Sequence, residues 1–254
     1  LGFYQGTVTL APADGSAALR MTRDSTVFVD KSRTATIATP ITDDGTARQL
    51  TKLGTGALVL SAANTYTGGT TIGAGSVAIS GAGTLGSGGN LTMSGGSLDL
   101  GSTSQTVGAL SITAAAASGN TVSNGDLTAA SYAASNASGT AVISANLLDG
   151  SASTMTKSGA GVLVLSGSNT YTGMTSVNAG ALVLANQTTL NGDIANISPT
   201  NVTVASGAAL GLAVGDNASG QFDSADIDTV LSQMASSDAS TGMKVGSQLG
   251  LDTT

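Results

Sequence analysis

Cysteine, histidine, tryptophan and glutamate are all missing from this chain of 254 residues, and only 3% of it is aromatic. Without cysteine there are no disulfides and no thiolate metal sites. Without histidine as well, histidine-based triads, thiol nucleophiles and the usual zinc sites drop out, leaving Asp, Lys, Tyr and Ser to carry any chemistry. Every acidic residue is Asp, which favours turns and caps where Glu favours helix interiors, so helix is expected to be scarce. Charge is sparse, at 9% of residues, and lopsided. Six of the eight basic residues (Arg20, Arg23, Lys31, Arg33, Arg48 and Lys52) lie in the first 52 positions, leaving Lys157 and Lys244 against ten Asp thereafter. That stretch offers no basic surface for nucleic acid. No apolar run reaches the ~18 residues of a membrane-spanning helix.

What remains is 41% hydrophobic, mostly small or β-branched, with 36 glycines that follow no three-residue period. Such a chain is neither disordered nor collagen-like, because it has apolar surface to bury. Its length implies no domain count if it is built from repeats, and a repeat is present. Thr51-Lys52-Leu53-Gly54-Thr55-Gly56-Ala57-Leu58-Val59-Leu60-Ser61 leads into Ala62-Ala63-Asn64-Thr65-Tyr66-Thr67-Gly68-Gly69-Thr70-Thr71-Ile72. The pattern returns without a gap 105 positions later, from Thr156-Lys157-Ser158-Gly159-Ala160-Gly161 through Asn169-Thr170-Tyr171-Thr172-Gly173 to Val177. Gly54 and Gly56 read as a turn, Leu58 to Leu60 as a short strand, Asn64 to Gly69 as a second turn and Thr70 to Ile72 as the next strand. Gly75 then turns into Val77 to Ile79. Short strands joined by glycine-rich turns are the grammar of a β-solenoid, in which identical positions stack. Leu58, Leu60, Ile72, Val77 and Ile79 are therefore expected to line apolar columns, with Thr, Ser and Asn outside. The rival arrangement, a string of sandwich domains, would pair its strands antiparallel.

The pattern Lys-x-Gly-x-Gly-x-Leu-x-Leu-Ser-x-x-Asn-Thr-Tyr-Thr-Gly-x-Thr resembles the autotransporter-associated β-strand repeat of bacterial passenger regions, closely over 52–79 and 157–184. Weaker continuations follow at 86–93 and 201–210. The resemblance implies a right-handed parallel β-helix exported to the surface of a Gram-negative-type bacterium. The motif positions it marks as structural are Lys52, Gly54, Gly56, Asn64, Tyr66 and Gly68, repeated as Lys157, Gly159, Gly161, Asn169, Tyr171 and Gly173.

Elsewhere, strands are expected at Thr7 to Leu10, Ala18 to Met21, Thr26 to Val29 and Ala35 to Ile37, with turns at Ala13-Asp14-Gly15 and Asp43-Asp44-Gly45. The alanine runs 114–117 and 129–134 are expected to form tight coils with small inward residues. Helical spacing occurs in one place, where Ile227, Val230, Leu231 and Met234 recur within 222–234. Asp223 is its expected N-cap, Asp226 the reciprocal carboxylate of a capping box, and Phe222 against Ile227 a hydrophobic staple. The whole chain is then read as one solenoid fragment, residues 1–254, of a longer passenger, with a helical insertion within 215–240; a domain boundary near 215 is the alternative. A signal or anchor would lie outside it.

Candidate chemistry is thin. Asp43-Asp44 is the only adjacent carboxylate pair, but Asp-Asp-Gly is an ordinary turn and neighbouring strand residues point to opposite faces. Asp216, Asp223, Asp226 and Asp228 match no calcium loop and read better as helix capping. Tyr66 and Tyr171 are expected to pack within turns, Lys52 and Lys157 to stay solvated, and Asn64 and Asn169 to bond turn backbone groups. No catalytic, cofactor or metal site is expected. The function that follows is a non-enzymatic scaffold or adhesive segment at the cell surface, with surface glycans or neighbouring copies as partners. The alternatives are a subunit of an extracellular filament and a polysaccharide-cleaving β-helix enzyme.

Overall fold

The computed structural model describes residues 1–3, 7–10, 18–113, 119–215, 220–234 and 241–253. Every strand pair among them is parallel, in one 21-stranded sheet and one two-stranded sheet formed by Leu19–Met21 and Ile41–Asp43. Parallel neighbours cannot be joined by a hairpin, so each strand must travel round a coil before it meets its successor. Ala57 pairs with Ser76, Ser76 with Ser97 and Ser97 with Thr121, which makes the coils 19, 21 and 24 residues long. The fold is thus a parallel β-solenoid and the sandwich arrangement is excluded.

Each coil has three sides. One carries Leu50–Leu53, Thr70–Ile72, Leu91–Met93 and Leu110–Ile112. Its outward positions align Thr51, Thr71, Thr92 and Ser111, so we call it the threonine face. The next carries Thr34–Ile37, Ala57–Leu60, Ser76–Ile79, residues 97–99 and 121–123, Thr140–Ile143, Val162–Leu165, Ala181–Leu184 and Ala209–Ala213. Its outward side mixes hydroxyl and small apolar residues in the earlier coils and is aliphatic from Val142 to Val183, so we call it the aliphatic face. A third side carries the Asn64 to Gly68 turn and its counterparts. Alternation sends every second residue inward, and Leu58, Leu60, Ile72, Val77 and Ile79 are all buried as expected.

The N-terminal strands form at Thr7–Leu10, Leu19–Met21, Ser25–Val29 and Thr34–Ile37, within one residue of expectation. The turn at 13–15, Ala114 to Ala117 and Asp216 lie outside the described residues. The second alanine run is not a tight coil. It belongs to Thr121–Ala134, a 14-residue strand that turns corners at the left-handed residue Asn124 (φ 60°) and Gly125. Ala129 and Ala134 do point inward, but Tyr132 is buried between them and is far from small.

The helix runs Ser224–Met234. Asp223 caps it, its Oδ1 accepting from the N–H groups of Ala225 (2.8 Å) and Asp226 (3.0 Å), while Asp226 Oδ2 accepts from the Asp223 N–H (3.0 Å). This reciprocal pair is the expected capping box. Phe222, Val230 and Met234 are buried and Ile227 packs on the same core, but Leu231 faces solvent, contrary to its spacing. The helix sits in the longest coil, where Ala209 pairs with Gln248 39 positions on. It packs beside a 3-10 turn at Ile194–Asn196 that the sequence did not announce.

Candidate functional site

The two motif copies occupy equivalent places in one sheet. On the threonine face, register runs from Leu50 through Thr70, Leu91, Leu110 and Tyr132 to Met155, so five coils separate the copies. On the aliphatic face the same count ends differently. Val122 pairs with Ile143 and Ile143 with Leu165, so the column that starts at Leu58 reaches Leu165, two residues past its motif equivalent Leu163. A two-residue slip preserves the inward face, because side chains alternate with period two.

Lys52 and Lys157 overturn the expectation that they stay solvated, since both are fully buried. The last inward position of the threonine-face strand turns each side chain into the corner that follows. The Lys52 ammonium donates to the carbonyls of Leu53 (2.9 Å), Gly54 (2.7 Å) and Ala74 (3.2 Å), the last belonging to the next coil. Lys157 repeats this with Ser158 (2.8 Å), Gly159 (2.7 Å) and Ala179 (3.3 Å). Three N–H donors meet three acceptors, which is how a buried ammonium without a carboxylate partner is tolerated. Burial pulls Lys52 down to about 8, so it remains protonated at neutral pH, and it lowers Lys157 as well. In the coil before Lys157 the aligned residue is Ala134, and the Asn136 amide fills the corner instead, donating to the carbonyls of Gly139 (3.1 Å) and Val162 (3.0 Å).

The motif glycines give these coils room. Gly54 adopts φ +74°, and a Cβ there would lie 2.2 Å from the Val29 carbonyl of the preceding coil; at Gly56 it would lie 2.2 Å from that of Asp30. Gly159 meets the Ser135 carbonyl in the same way, Gly161 meets the Asn136 side-chain amide, and Gly68 and Gly173 meet the backbone of Arg48 and Ala152.

On the third side, Asn64 and Asn169 bond backbone as expected, but that of neighbouring coils and not of their own turns. Asn64 Oδ1 accepts from the Ile41 N–H (2.9 Å) and its Nδ2 donates to the Thr84 carbonyl (2.7 Å). Asn169 bridges Leu147 (2.8 Å) and Thr189 (2.7 Å) identically. Each amide therefore ties three successive coils together through side-chain-to-backbone bonds. Tyr66 and Tyr171 are buried turn-packing residues whose hydroxyls meet Thr70 (2.7 Å) and Thr175 (2.9 Å), and burial raises both phenols. Tyr171 also lies against Tyr132, with ring centroids 5.8 Å apart.

Inspection of the sequence missed a further pair of ties. Asp43 Oδ2 accepts from Thr67 N–H (2.6 Å) and hydroxyl (2.7 Å), and Asp149 Oδ2 accepts from the Thr172 hydroxyl (2.6 Å). Both carboxylates precede their motif threonine by about one coil, a spacing that could have revealed them once the coil length was known. The Asp43-Asp44 pair is accordingly spent on structure, for Asp44 is held by Arg48 (2.8 Å) and kept down at about 2 by that guanidinium. A carboxyl so acidic cannot act as a general acid near neutrality. Asp223 and Asp226 cap the helix, and among the described residues no three His, Cys, Asp or Glu side chains gather for a metal ion. A groove of about 590 Å³ follows the corner beside Lys52. It is lined by glycines and the hydroxyl residues Thr55, Ser76, Ser94, Ser97 and Thr121, with no titratable group.

Residues 50–79 and 155–184 match the family profile described as the passenger-associated-transport-repeat. No curated protein and no solved structure matches the chain.

Proposed function

We propose that this chain is a non-enzymatic stretch of an autotransporter-type passenger, a rigid rod that holds a surface outside the cell. The observation that carries the reading is that the side chains of the matched repeat serve the solenoid itself. Lys52, Asn64, Tyr66 and Thr67 all bond the backbone or side chains of their own or adjoining coils, and the same set recurs around Lys157. Repetition with no converging reactive groups among the described residues suits a scaffold, in which each coil buries the next. Surface glycans suit the half-buried, outward hydroxyl rows of the threonine face as ligands.

The test is display. Residues 1–254, fused between a secretion signal and an autotransporter barrel, are expected on the cell surface as a folded, protease-resistant rod that adds adhesion to glycan-coated wells and shows no turnover of common polysaccharides. Retention inside the cell would overturn the passenger reading. Turnover abolished by Asp43→Asn would overturn the non-enzymatic one.

A further inference from the structure

The two flat faces differ in what they offer a partner. Along the threonine face the outward column stays hydroxyl-rich, from Thr51 through Thr71 and Thr92 to Thr156, Ser176 and Thr203. Along the aliphatic face, Val142 aligns with Val164 and Val164 with Val183, while Val162 aligns with Ala181. All five are half-buried and outward, so they form one apolar block across three coils. From Thr34 to Gly211 this face carries a single outward charge, Asp99. The other Asp side chains placed above, namely Asp43, Asp44, Asp149, Asp223 and Asp226, lie on the third side or in the helical excursion.

We propose that the aliphatic face is the contact between two copies of this chain. Three features select a second copy as the occupant. Rows of side chains spaced by the ~4.8 Å strand repeat interlock with another surface of identical repeat, and a copy supplies one. The chain carries a net charge of −7, so copies repel except across a side that is almost free of charge. Nine strands from 34–37 to 209–213, at ~4.8 Å by about four residues of ~3.3 Å, present roughly 550 Å² per copy; the pair buries about 1,100 Å², past the ~1,000 Å² of a specific interface. A two-fold axis parallel to the solenoid places every strand level opposite itself, valine block on valine block. The inference stands apart from where the chain is displayed, since it is read on the purified chain.

Sedimentation velocity over a concentration series is expected to show a monomer–dimer equilibrium. Val164→Lys, which puts a charge in the centre of the block, should weaken it at least tenfold, while Ser111→Lys on the threonine face should leave it unchanged. Circular dichroism and melting check that both variants fold. Because the chain has no cysteine, Val164→Cys should form a disulfide-linked dimer under mild oxidation where Ser111→Cys does not. A chain that stays monomeric throughout, a dimer indifferent to Val164→Lys, or equal cross-linking from both faces would overturn the proposal.

Discussion

The ammonium of Lys157 lies 2.7 Å from the carbonyl of Gly159, the same distance that separates Lys52 from Gly54 five coils away. A long cationic side chain is buried twice, in the same corner, with backbone carbonyls as its only partners. Replacing it leaves three acceptors unsatisfied but also removes a desolvated charge, and the two effects oppose one another. The lost hydrogen bonds should prevail because all three are charge-assisted and so roughly twice as strong as neutral ones. Lys52→Met and Lys157→Met are each expected to cost about 2–4 kcal/mol in urea unfolding. Amine acetylation of the native protein should modify exposed Lys31 and spare both buried lysines, and rapid labelling of Lys52 would contradict the burial.

Asn64 and Asn169 each join three coils through a donor and an acceptor. Alanine at either position should destabilise by about 2–4 kcal/mol, since two buried backbone groups lose their partners. The losses should match between copies within error in urea titrations; a large inequality would mean that the shared motif does not have a shared role.

Two glycines with positive φ separate strain from clearance. Gly45 (φ +96°) has nothing within 4 Å of a built Cβ, whereas Gly54 (φ +74°) has the Val29 carbonyl at 2.2 Å. Gly45→Ala is expected to cost about 1 kcal/mol from backbone strain alone. Gly54→Ala must also push two coils apart, so its melting temperature should fall several times further.

Asp149 is held down at about 2 by the Thr172 hydroxyl first and the Ser153 N–H next. Its folded pKa lies below the ~3.9 of an unfolded Asp, so its contribution is complete above about pH 4 and is lost as pH falls toward about 2. Thr172→Val should raise the folded value and flatten that acid limb. Parallel stability curves for the two proteins between pH 4 and 2 would show that the contact does not set the pKa.

The solenoid was legible because its signals are local and repeated. Glycine turns, three-residue apolar strands and an ungapped 105-residue recurrence each constrain backbone within a few positions, and the structure follows them nearly residue for residue. The capping box at Asp223 and Asp226 was legible for the same reason, as donor and acceptor lie three residues apart. Leu231 was misread because helical spacing identifies a face some 100° wide but not which of its edges meets the core.

Sequence by itself therefore determined the class of fold, the strand positions in the motifs and the N-terminal segment, and the equivalence of the two motifs. Tertiary structure alone decided what the motif side chains do. Lys52 reads as a solvated turn residue until the Ala74 carbonyl of the next coil closes over it, and Asn64 reads as a turn residue until Ile41 and Thr84 arrive from either side. The two-residue slip between Val122 and Ile143, and with it the alignment of Val142, Val164 and Val183, was likewise invisible. The physical reason is common to all of these. In a stacked solenoid the partner of each residue lies about one coil away along the chain, so burial and hydrogen bonding are set by how the coils register and not by the residues on either side.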